Sequence, residues 1–286
     1  MEVIAKTILK EIYPEKPDWT HKGEYGRLLV IAGSRWMTGS PTIVGMAAMK
    51  AGADMLFFMG PERAMNVTAG SFPTFITEPL NGNFLGMQHV RQIADFMDVM
   101  KPTAVAIGPG LWRNEETRKA VVEIIGQINV PMVIDADAIR ALRAARGVLE
   151  NKKAILTPHA NEFKELTGNE VSQSVTQRTE AVKKAAKDLS SIVILKGHVD
   201  IISDGSKTMA NKTGNVHMTK GGMGDSLTGI CAALISRAVN KVDMFKASCA
   251  AAYINGRAGD LAARKYGEGM TAMDLINSIP LAIQGK

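Results

Sequence analysis

Cysteine is scarce in this 286-residue sequence, which contains only Cys231 and Cys249. Neither residue has the spacing of a zinc-ligand pair, and both lie in apolar stretches with a helical pattern. Because cysteine is among the residue types most often buried, we expect two small core residues rather than a disulfide or a metal site.

Long hydrophobic runs are also missing. No segment approaches the ~18 apolar residues that suggest a membrane helix. The N-terminal segment contains Glu2 and Glu11 and lacks the apolar core of a signal peptide. These absences favour a cytoplasmic protein with no membrane partner.

A strong excess of one charge is missing as well. Lysine and arginine number 34 against 28 acidic residues, and aromatic residues make up only 5%. No basic run or basic stripe interleaved with aromatics occurs, so we expect no nucleic-acid partner. The chain also lacks a P-loop, a G-x-G-x-x-G motif after its first predicted strand, H-E-x-x-H and G-x-S-x-G.

Short apolar runs, separated by amphipathic helical stretches, organise the chain. Runs that are apolar throughout predict parallel strands covered on both faces, in an α/β fold. A hairpin with an Asp204-Gly205 turn should follow the last of them, and the chain after Gly222 should be helical. The predicted strands are 28–32, 55–59, 104–107, 132–134, 154–156 and 192–195.

The length permits one α/β domain or two domains of about 150 residues each. The sequence contains no fixed-period repeat, low-complexity tract or Pro/Ser-rich linker. We therefore expect one domain over residues 1–286, in which residues 1–22 form an N-terminal helical arm.

Glycines and polar residues gather where the predicted strands end. Each group alone would fit ordinary turn chemistry. Ligands bind at the carboxyl ends of parallel strands, so the groups taken together favour a binding site. They are Gly33-Ser34, Gly108-Pro109-Gly110, Asp135-Ala136-Asp137, Thr157-Pro158-His159 and Lys196-Gly197.

The densest glycine cluster is the segment 221–224, which reads G-G-M-G and is followed by Asp225 and an amphipathic helix. Glycines let the backbone approach an anion closely, and a helix N-terminus supplies free N–H groups. Asp225 has two interpretations: an acid that interacts with the helix dipole, or a general base beside bound phosphates. The number of glycines favours the second.

In these segments the chain resembles the ribokinase-like superfamily and, within it, the ADP/ATP-dependent NAD(P)H-hydrate dehydratases. The resemblance implies a three-layer α/β/α fold with a mostly parallel central sheet. It implies dehydration of the S-form of hydrated NADH or NADPH, with ADP or ATP as co-substrate and Mg²⁺ as cofactor. The matching segments are 23–41, 107–110, 134–142, 156–163, 195–202 and 213–230.

The resemblance also implies roles for individual residues. Asp225 would be the catalytic base and would contact the hydrated dinucleotide, together with Ser40, Gly110 and His159. The implied nucleotide-binding residues are Lys196, Gly197, His198, Val199, Asp200, Gly221, Gly222, Met223, Gly224 and Asn255.

Three of the polar residues keep a second interpretation. His159 fits a turn histidine that caps its own loop as well as a substrate contact. Asp135 and Asp137 fit helix N-caps as well as residues that help to organise Mg²⁺. The metal ligands are therefore left unassigned.

The sequence departs from the family pattern in several places. Residues 215–222 read N-V-H-M-T-K-G-G where the family usually has N-P-G-M-A-T-G-G, and TPHANE replaces TPHPGE. Asp200 stands where threonine is common, and Met223 replaces a smaller residue. These differences leave the choice between ADP and ATP open. Only about twenty residues precede the resemblance, so we expect any epimerase to be a separate chain.

Two other functions remain as alternatives. A sugar, pyridoxal or hydroxymethylpyrimidine kinase of the same fold would use Asp225 and release a phosphorylated product, although sugar kinases more often read G-A-G-D-x-F here. A catalytically inactive nucleotide-binding module is disfavoured by Lys196, the glycine cluster and Asp225. The resemblance also predicts a homotetramer, and the apolar residues of the N-terminal arm could pack on their own domain or on a neighbour.

Overall fold

The computed structural model describes residues 1–237 and 243–285. Within these residues all strands belong to one sheet. The strands are β1 (Glu2–Val3), β2 (Arg27–Ile31), β3 (Met55–Pro61), β4 (Ile76–Leu80), β5 (Ala104–Ile107), β6 (Met132–Ile134), β7 (Ala154–Leu156), β8 (Ile192–Leu195), β9 (Asp200–Ser203) and β10 (Thr208–Asn211).

The sheet has the order β1-β10-β9-β8-β7-β6-β5-β2-β3-β4. Its neighbouring strands are parallel except for the β8–β9 and β9–β10 pairs, which are antiparallel. The central strands β5 to β8 are buried throughout, as expected for parallel strands covered on both faces. Their carboxyl ends meet along one edge, which positions the site described below.

Helices cover both faces of the sheet and complete a three-layer α/β/α fold, as predicted. One apolar core joins the sheet to α1, α2, α3, α9, α10 and α11, and a second joins it to α4 through α8. The helices are α1 (Ile8–Ile12), α2 (Ser40–Lys50), α3 (Glu62–Ser71), α4 (Val90–Met100), α5 (Glu115–Gln127), α6 (Asp137–Ala141), α7 (Ala160–Thr167), α8 (Val175–Asp188), α9 (Met223–Ile235), α10 (Met244–Tyr266) and α11 (Ala272–Ile283).

The six predicted parallel strands are confirmed, with β2 one residue earlier and β3 two residues longer than expected. The prediction missed β4 because this edge strand contains Glu78 and Pro79, which weaken its apolar pattern. Proline is tolerated there because an edge strand leaves one row of N–H groups unpaired. It also missed β1, which has only two residues.

The predicted hairpin is present as β9 and β10, with a longer connection than a two-residue turn. Gly205 has a φ of +88°, and the Asp204 carboxylate accepts hydrogen bonds from the N–H groups of Ser206 and Lys207. In the described residues after Gly222, the regular structure is entirely helical, as predicted.

The N-terminal arm is less helical than expected. Only Ile8–Ile12 is α-helical, and β1 before it pairs with β10 in parallel. Ile4, Leu9 and Ile12 are buried in a core of this chain, whereas Val3 is exposed. The arm therefore packs on its own sheet.

Cys231 and Cys249 are both free and buried, as their apolar surroundings predicted. Burial raises the pKa of each thiol to about 12. Neither side chain is therefore a reactive thiolate at neutral pH. None of the described helices has the length and apolar character needed to cross a bilayer.

Candidate active site

The glycine cluster forms the start of α9. Gly222 is the residue before the helix and has a φ of +88°, and a Cβ there would lie 2.9 Å from side-chain atoms of both Ala272 and Ile43. A side chain would therefore be strained by its backbone and crowded by its neighbours. In the part of the chain that the structure describes, no acceptor bonds the N–H groups of Gly224 and Asp225. These donors are free to bind an anion.

Asp225 lies in the first turn of α9 and is half-buried. Burial, followed by the charge of Asp135, raises the pKa of its carboxyl group to about 6, against a hydrogen bond from Ser40 and the charge of Lys196. A carboxylate with this pKa is mostly ionised at neutral pH and accepts a proton more readily than an ordinary aspartate. Its position and pKa fit the interpretation of Asp225 as a base.

Asp135 follows β6 and is buried, with 1% of its surface exposed. Its Oδ1 accepts hydrogen bonds from Thr157 Oγ1 at 2.7 Å and from Lys196 Nζ at 2.9 Å. Its Oδ2 accepts a hydrogen bond from Thr228 Oγ1 at 2.8 Å. Ala136, rather than Asp135, occupies the N-cap position of α6. Asp135 is therefore the buried counter-charge of Lys196, which the sequence did not reveal.

Lys196 follows β8, and its ammonium lies beside the start of α9. A Cβ placed on Gly224 would be 3.3 Å from Lys196 Nζ. Burial opposes the charge of this lysine, but Asp135 and Glu162 outweigh burial and hold the pKa of Lys196 above its ordinary value. Lys196 therefore keeps its positive charge next to the free N–H groups of α9.

Asp137 lies in the first turn of α6, but its carboxylate does not act as the N-cap of that helix. It accepts a hydrogen bond from the Trp112 backbone N–H at 3.0 Å and pairs with Arg140 at 3.3 Å. Arg113 lies 3.5 Å from the same carboxylate. Asp137 is therefore already neutralised by two arginines.

A cavity of about 600 Å³ opens beside Lys196 and the start of α9, and we call it the α9 cavity. It brings together most of the residues predicted to bind the nucleotide. Val199 packs against an apolar core, and Gly221 and Gly222 do not line the cavity. The predicted residues that do line it are Lys196, Gly197, His198, Asp200, Met223, Gly224 and Asn255, with His159.

Two of these residues already use their polar atoms within the protein. The Asn255 side-chain oxygen accepts a hydrogen bond from Ser226 Oγ at 2.7 Å, which ties α10 to the first turn of α9. The Asp200 carboxylate accepts from the Gly197 N–H and from Asn211 Nδ2, both at 2.9 Å, and burial raises its pKa. Both side chains therefore shape the cavity wall.

Ser40 and Gly110 lie together near Asp225, outside the lining of the α9 cavity. A Cβ placed on Gly110, whose φ is +70°, would be 3.0 Å from Ser40 Oγ. Ser40 in turn donates a hydrogen bond to Asp225. The structure thus assembles three of the four residues predicted to contact the hydrated dinucleotide.

His159, the fourth, caps α7. Its Nδ1 accepts hydrogen bonds from the N–H groups of Asn161 and Glu162, and the Glu162 carboxylate accepts from the His159 N–H at 2.9 Å. The capping alternative is therefore present in the structure. The ring is also exposed over 46% of its side-chain surface and lines the α9 cavity, so a substrate contact stays a prediction.

The sequence did not indicate that the loop 213–220 contributes to the α9 cavity, which is lined by residues 213–216 and 218–220. Asn215 Nδ2 donates to Asp260 on α10 at 3.0 Å, and Lys220 Nζ donates to the Met270 carbonyl at 3.1 Å. Spacing could not predict these contacts because each partner lies more than forty residues away. The loop is thereby anchored at both ends.

The geometry can be compared with known proteins. A model of the family described as NAD(P)H-hydrate dehydratase matches residues 28–281. The bifunctional NAD(P)H-hydrate repair enzyme of Pyrobaculum aerophilum is 42% identical over 265 residues, which cover 92% of this chain and 51% of that protein. This chain thus spans about half the length of the first curated relatives that it matches.

Two further proteins match over nearly their whole length. The ADP-dependent (S)-NAD(P)H-hydrate dehydratase of Cenarchaeum symbiosum is 32% identical over 278 residues, which cover 97% of this chain and 95% of that protein. The Bacillus subtilis ADP/ATP-dependent NAD(P)H-hydrate dehydratase, co-crystallised with ATP/Mg²⁺, is 26% identical with a TM-score of 0.83. That alignment covers 99% of this chain and 98% of the other.

Proposed function

The chain belongs to the NAD(P)H-hydrate dehydratase family, and from this premise we propose that it dehydrates the S-form of hydrated NADH or NADPH. ADP or ATP is the phosphoryl donor, and the products are NADH or NADPH, AMP or ADP, and phosphate. One observation carries the proposal: the half-buried Asp225 carboxylate, with a pKa of about 6, lies beside free N–H groups at the start of α9.

The first step transfers a phosphoryl group to the substrate hydroxyl. Asp225 removes the hydroxyl proton, and the oxygen forms a bond to the terminal phosphorus of the nucleotide as the bond to AMP or ADP breaks. In the second step the C–O bond breaks, phosphate leaves with the bonding electrons, and the ring nitrogen lone pair forms an iminium ion. The adjacent ring carbon then loses a proton to water or to the departing phosphate, which restores the neutral dihydronicotinamide. Hydroxide alone would be a poor leaving group at neutral pH.

The protein stabilises negative charge on the transferring group through fixed donors. The free N–H groups of Gly224 and Asp225 point from the helix start, and Lys196 adds a cation beside them. The Asp135 carboxylate holds the Lys196 ammonium at 2.9 Å and limits its movement. The site is thus preorganised before the nucleotide binds.

The α9 cavity is the proposed nucleotide site. Its volume of about 600 Å³ lies in the usual range for small-molecule sites, roughly 300–1,000 Å³. It contains Lys196 and Gly224 at one end, where the phosphates would lie. The side of Asp225 that carries Ser40 and Gly110 then receives the hydrated nicotinamide.

Mg²⁺ fits this site as an ion carried by the nucleotide phosphates. The described residues include no group of three or more His, Cys, Asp or Glu residues arranged to hold a metal. Magnesium commonly binds through phosphates and water with only one or two protein carboxylates, so the site needs no dedicated metal cluster. When bound, the ion would neutralise phosphate charge.

The competing proposal, a small-molecule kinase, uses the same base but keeps its phosphorylated product. Hydrated NADH should be incubated with the protein and either ADP or ATP, while absorbance is followed in the NADH band. We expect absorbance to recover with at least one nucleotide. No recovery with either, together with phosphorylation of a sugar or a hydroxylated vitamin, would reject the dehydratase.

We also propose that the protein is a cytoplasmic homotetramer. The resemblance to the dehydratase family supports the tetramer, and Trp19 in the N-terminal arm, which is 90% exposed, is a candidate contact with another copy of the chain. Light scattering should give the mass of four chains. A monomer mass would reject the tetramer.

A further inference from the structure

A second cavity, of about 830 Å³, shares His159 with the α9 cavity and is lined by an unusual number of cationic side chains. We call it the arginine cavity. Its cationic residues are Arg113, Arg140, Arg143, Arg146 and Lys164. None of these residues has a role in the phosphoryl transfer proposed above.

Most of these cations are already paired with carboxylates. Arg140 lies 2.8 Å from Glu165 and 3.3 Å from Asp137, and its side chain is only 17% exposed. Arg113 lies 3.5 Å from Asp137. Lys164 pairs with a carboxylate on the chain just after α7. These pairs build the wall of the cavity but leave little net charge in it.

Arg143 and Arg146 differ from the others. Both are exposed, and within residues 1–237 and 243–285 neither has an ion pair or a hydrogen bond through its guanidinium. Two unpaired guanidiniums on one cavity wall attract a doubly charged anion, and guanidinium geometry matches phosphate oxygens. A phosphate monoester, with a charge of about −1.5 to −2 at pH 7, fits this requirement better than either half of a pyrophosphate.

We infer that the arginine cavity binds the 2′-phosphate of hydrated NADPH and makes the protein select this substrate over hydrated NADH. The inference rests on the proposed function. In the dinucleotide, the order of groups is nicotinamide, pyrophosphate and then the ribose that carries the 2′-phosphate. His159 lines both cavities. A dinucleotide with its nicotinamide at Asp225 and its pyrophosphate at His159 would therefore place the 2′-phosphate in the arginine cavity.

The chain between Gly110 and the arginine cavity supports this path. Trp112 has a φ of +78°, a strained conformation for a bulky residue, and its N–H is held by Asp137. Such strain is typical of functional sites. Trp112 is 41% exposed, and its ring stacks on Phe84 at 6.3 Å. Its exposed part offers an aromatic surface on which the adenosine half can lie.

The test is the double variant R143A/R146A, with R264A as a matched control. Arg264 is another exposed arginine, but it lies on α10, which packs on the opposite face of the sheet. We expect the KM for hydrated NADPH to rise roughly ten- to hundredfold in the double variant, as for the loss of charge-assisted hydrogen bonds. The KM for hydrated NADH should change less than twofold, and R143K/R146K should recover part of the loss.

A rise of similar size for both substrates would overturn the inference, because it would place the pyrophosphate in the cavity. Unchanged KM values for both would overturn it as well. A binding measurement that needs no turnover separates this inference from the proposed function. Calorimetry measures the binding of adenosine 2′,5′-bisphosphate while saturating 5′-AMP occupies the α9 cavity. Wild-type protein should bind this probe at least tenfold more tightly than R143A/R146A, and equal binding would contradict the inference even if no dehydratase activity were found.

Discussion

Two helix starts on the same edge of the sheet use aspartate in opposite ways. At α6, Asp135 and Asp137 have hydrogen-bond or ion-pair partners for all their carboxylate oxygens. At α9, Asp225 is half-buried, has a raised pKa, and stands next to N–H groups with no acceptor among the described residues. Both starts place acid residues near the N-terminus of a helix, yet within the described residues only the Asp225 carboxylate has no ion-pair partner.

The two helix starts differ in whether the aspartate carboxylates are already paired within the protein. Paired carboxylates support the structure, whereas the unpaired one is available for chemistry. The α6 start holds Lys196 in place through Asp135, and its remaining contacts are internal to the protein. The α9 start keeps its donors and its base available for ligands. Substitutions at the two helix starts test this division.

Asp225→Asn should give the largest effect. The variant keeps the shape of the side chain but removes the proton acceptor, so turnover should fall roughly 10²–10⁴-fold. Steady-state kinetics on hydrated NADH, with nucleotide binding measured by calorimetry, checks this. Glu115→Gln, at the exposed start of α5, is the control and should retain full turnover. If Asp225→Asn retained activity within a few fold of wild type, Asp225 would not be the base.

Asp135→Ala should act mainly on stability. It leaves the buried ammonium of Lys196 without its closest partner, and breaking a buried pair in this way typically costs about 3–5 kcal/mol. Urea denaturation followed by circular dichroism measures the change. Asp95→Ala removes an exposed pair with Arg91 and should cost less than about 1 kcal/mol. A loss equal to that control would show that Asp135 does not support the site.

Gly222→Ala tests the backbone at the α9 start. Its positive φ and the close approach of Ala272 and Ile43 should cost roughly 1–3 kcal/mol of unfolding free energy. Gly221→Ala is the matched control, because a Cβ at Gly221 has no atom within 4 Å. The Tm values of the two variants should therefore differ clearly. Equal Tm values would contradict the close packing of Ala272 and Ile43 against residue 222.

The raised pKa of Asp225 also predicts a smaller effect on stability. Because its folded pKa of about 6 exceeds the ordinary 3.8, the folded state binds more protons between these values, and stability falls as pH rises through this window. Asp225→Asn should therefore stabilise the fold by roughly 1–3 kcal/mol at pH 8 and by little at pH 3.5. Denaturation at both pH values checks this, and a variant less stable at pH 8 would refute it.

The same pKa sets the acid side of the activity profile. The base must be ionised, so kcat/KM should decline below about pH 6, tending toward tenfold per pH unit. Steady-state kcat/KM measured from pH 4.5 to 8 gives the profile. A flat profile down to pH 5 would show that the pKa of Asp225 is near its ordinary value, like that of a surface aspartate.

Local sequence patterns predicted the parts of the fold and site that depend on near neighbours. Uninterrupted apolar runs are enough to identify β5 to β8, and the glycine cluster with Asp225 is contiguous. Edge strand β4 was not predicted because its proline and glutamate interrupt the apolar pattern of a strand. The short β1 carries too few residues to show any periodicity.

Contacts between distant segments could not be predicted from spacing. Asp135 meets Lys196 across 61 residues and Thr228 across 93, so only the folded sheet edge brings them together. The sequence indicates the arginine cavity only in part, because Arg140, Arg143 and Arg146 lie close together in the chain. Its position beside His159 nevertheless depends on the packing of α6 and α7.

The stoichiometry of the reaction tests the central proposal most directly. Hydrated NADH and ADP or ATP should be mixed with wild-type protein or Asp225→Asn, and NADH and inorganic phosphate measured in the same sample. We predict one phosphate released for each NADH restored by the wild type, with both lost together in Asp225→Asn. Nucleotide consumption with a stable phosphorylated product and no restored NADH would contradict the proposal.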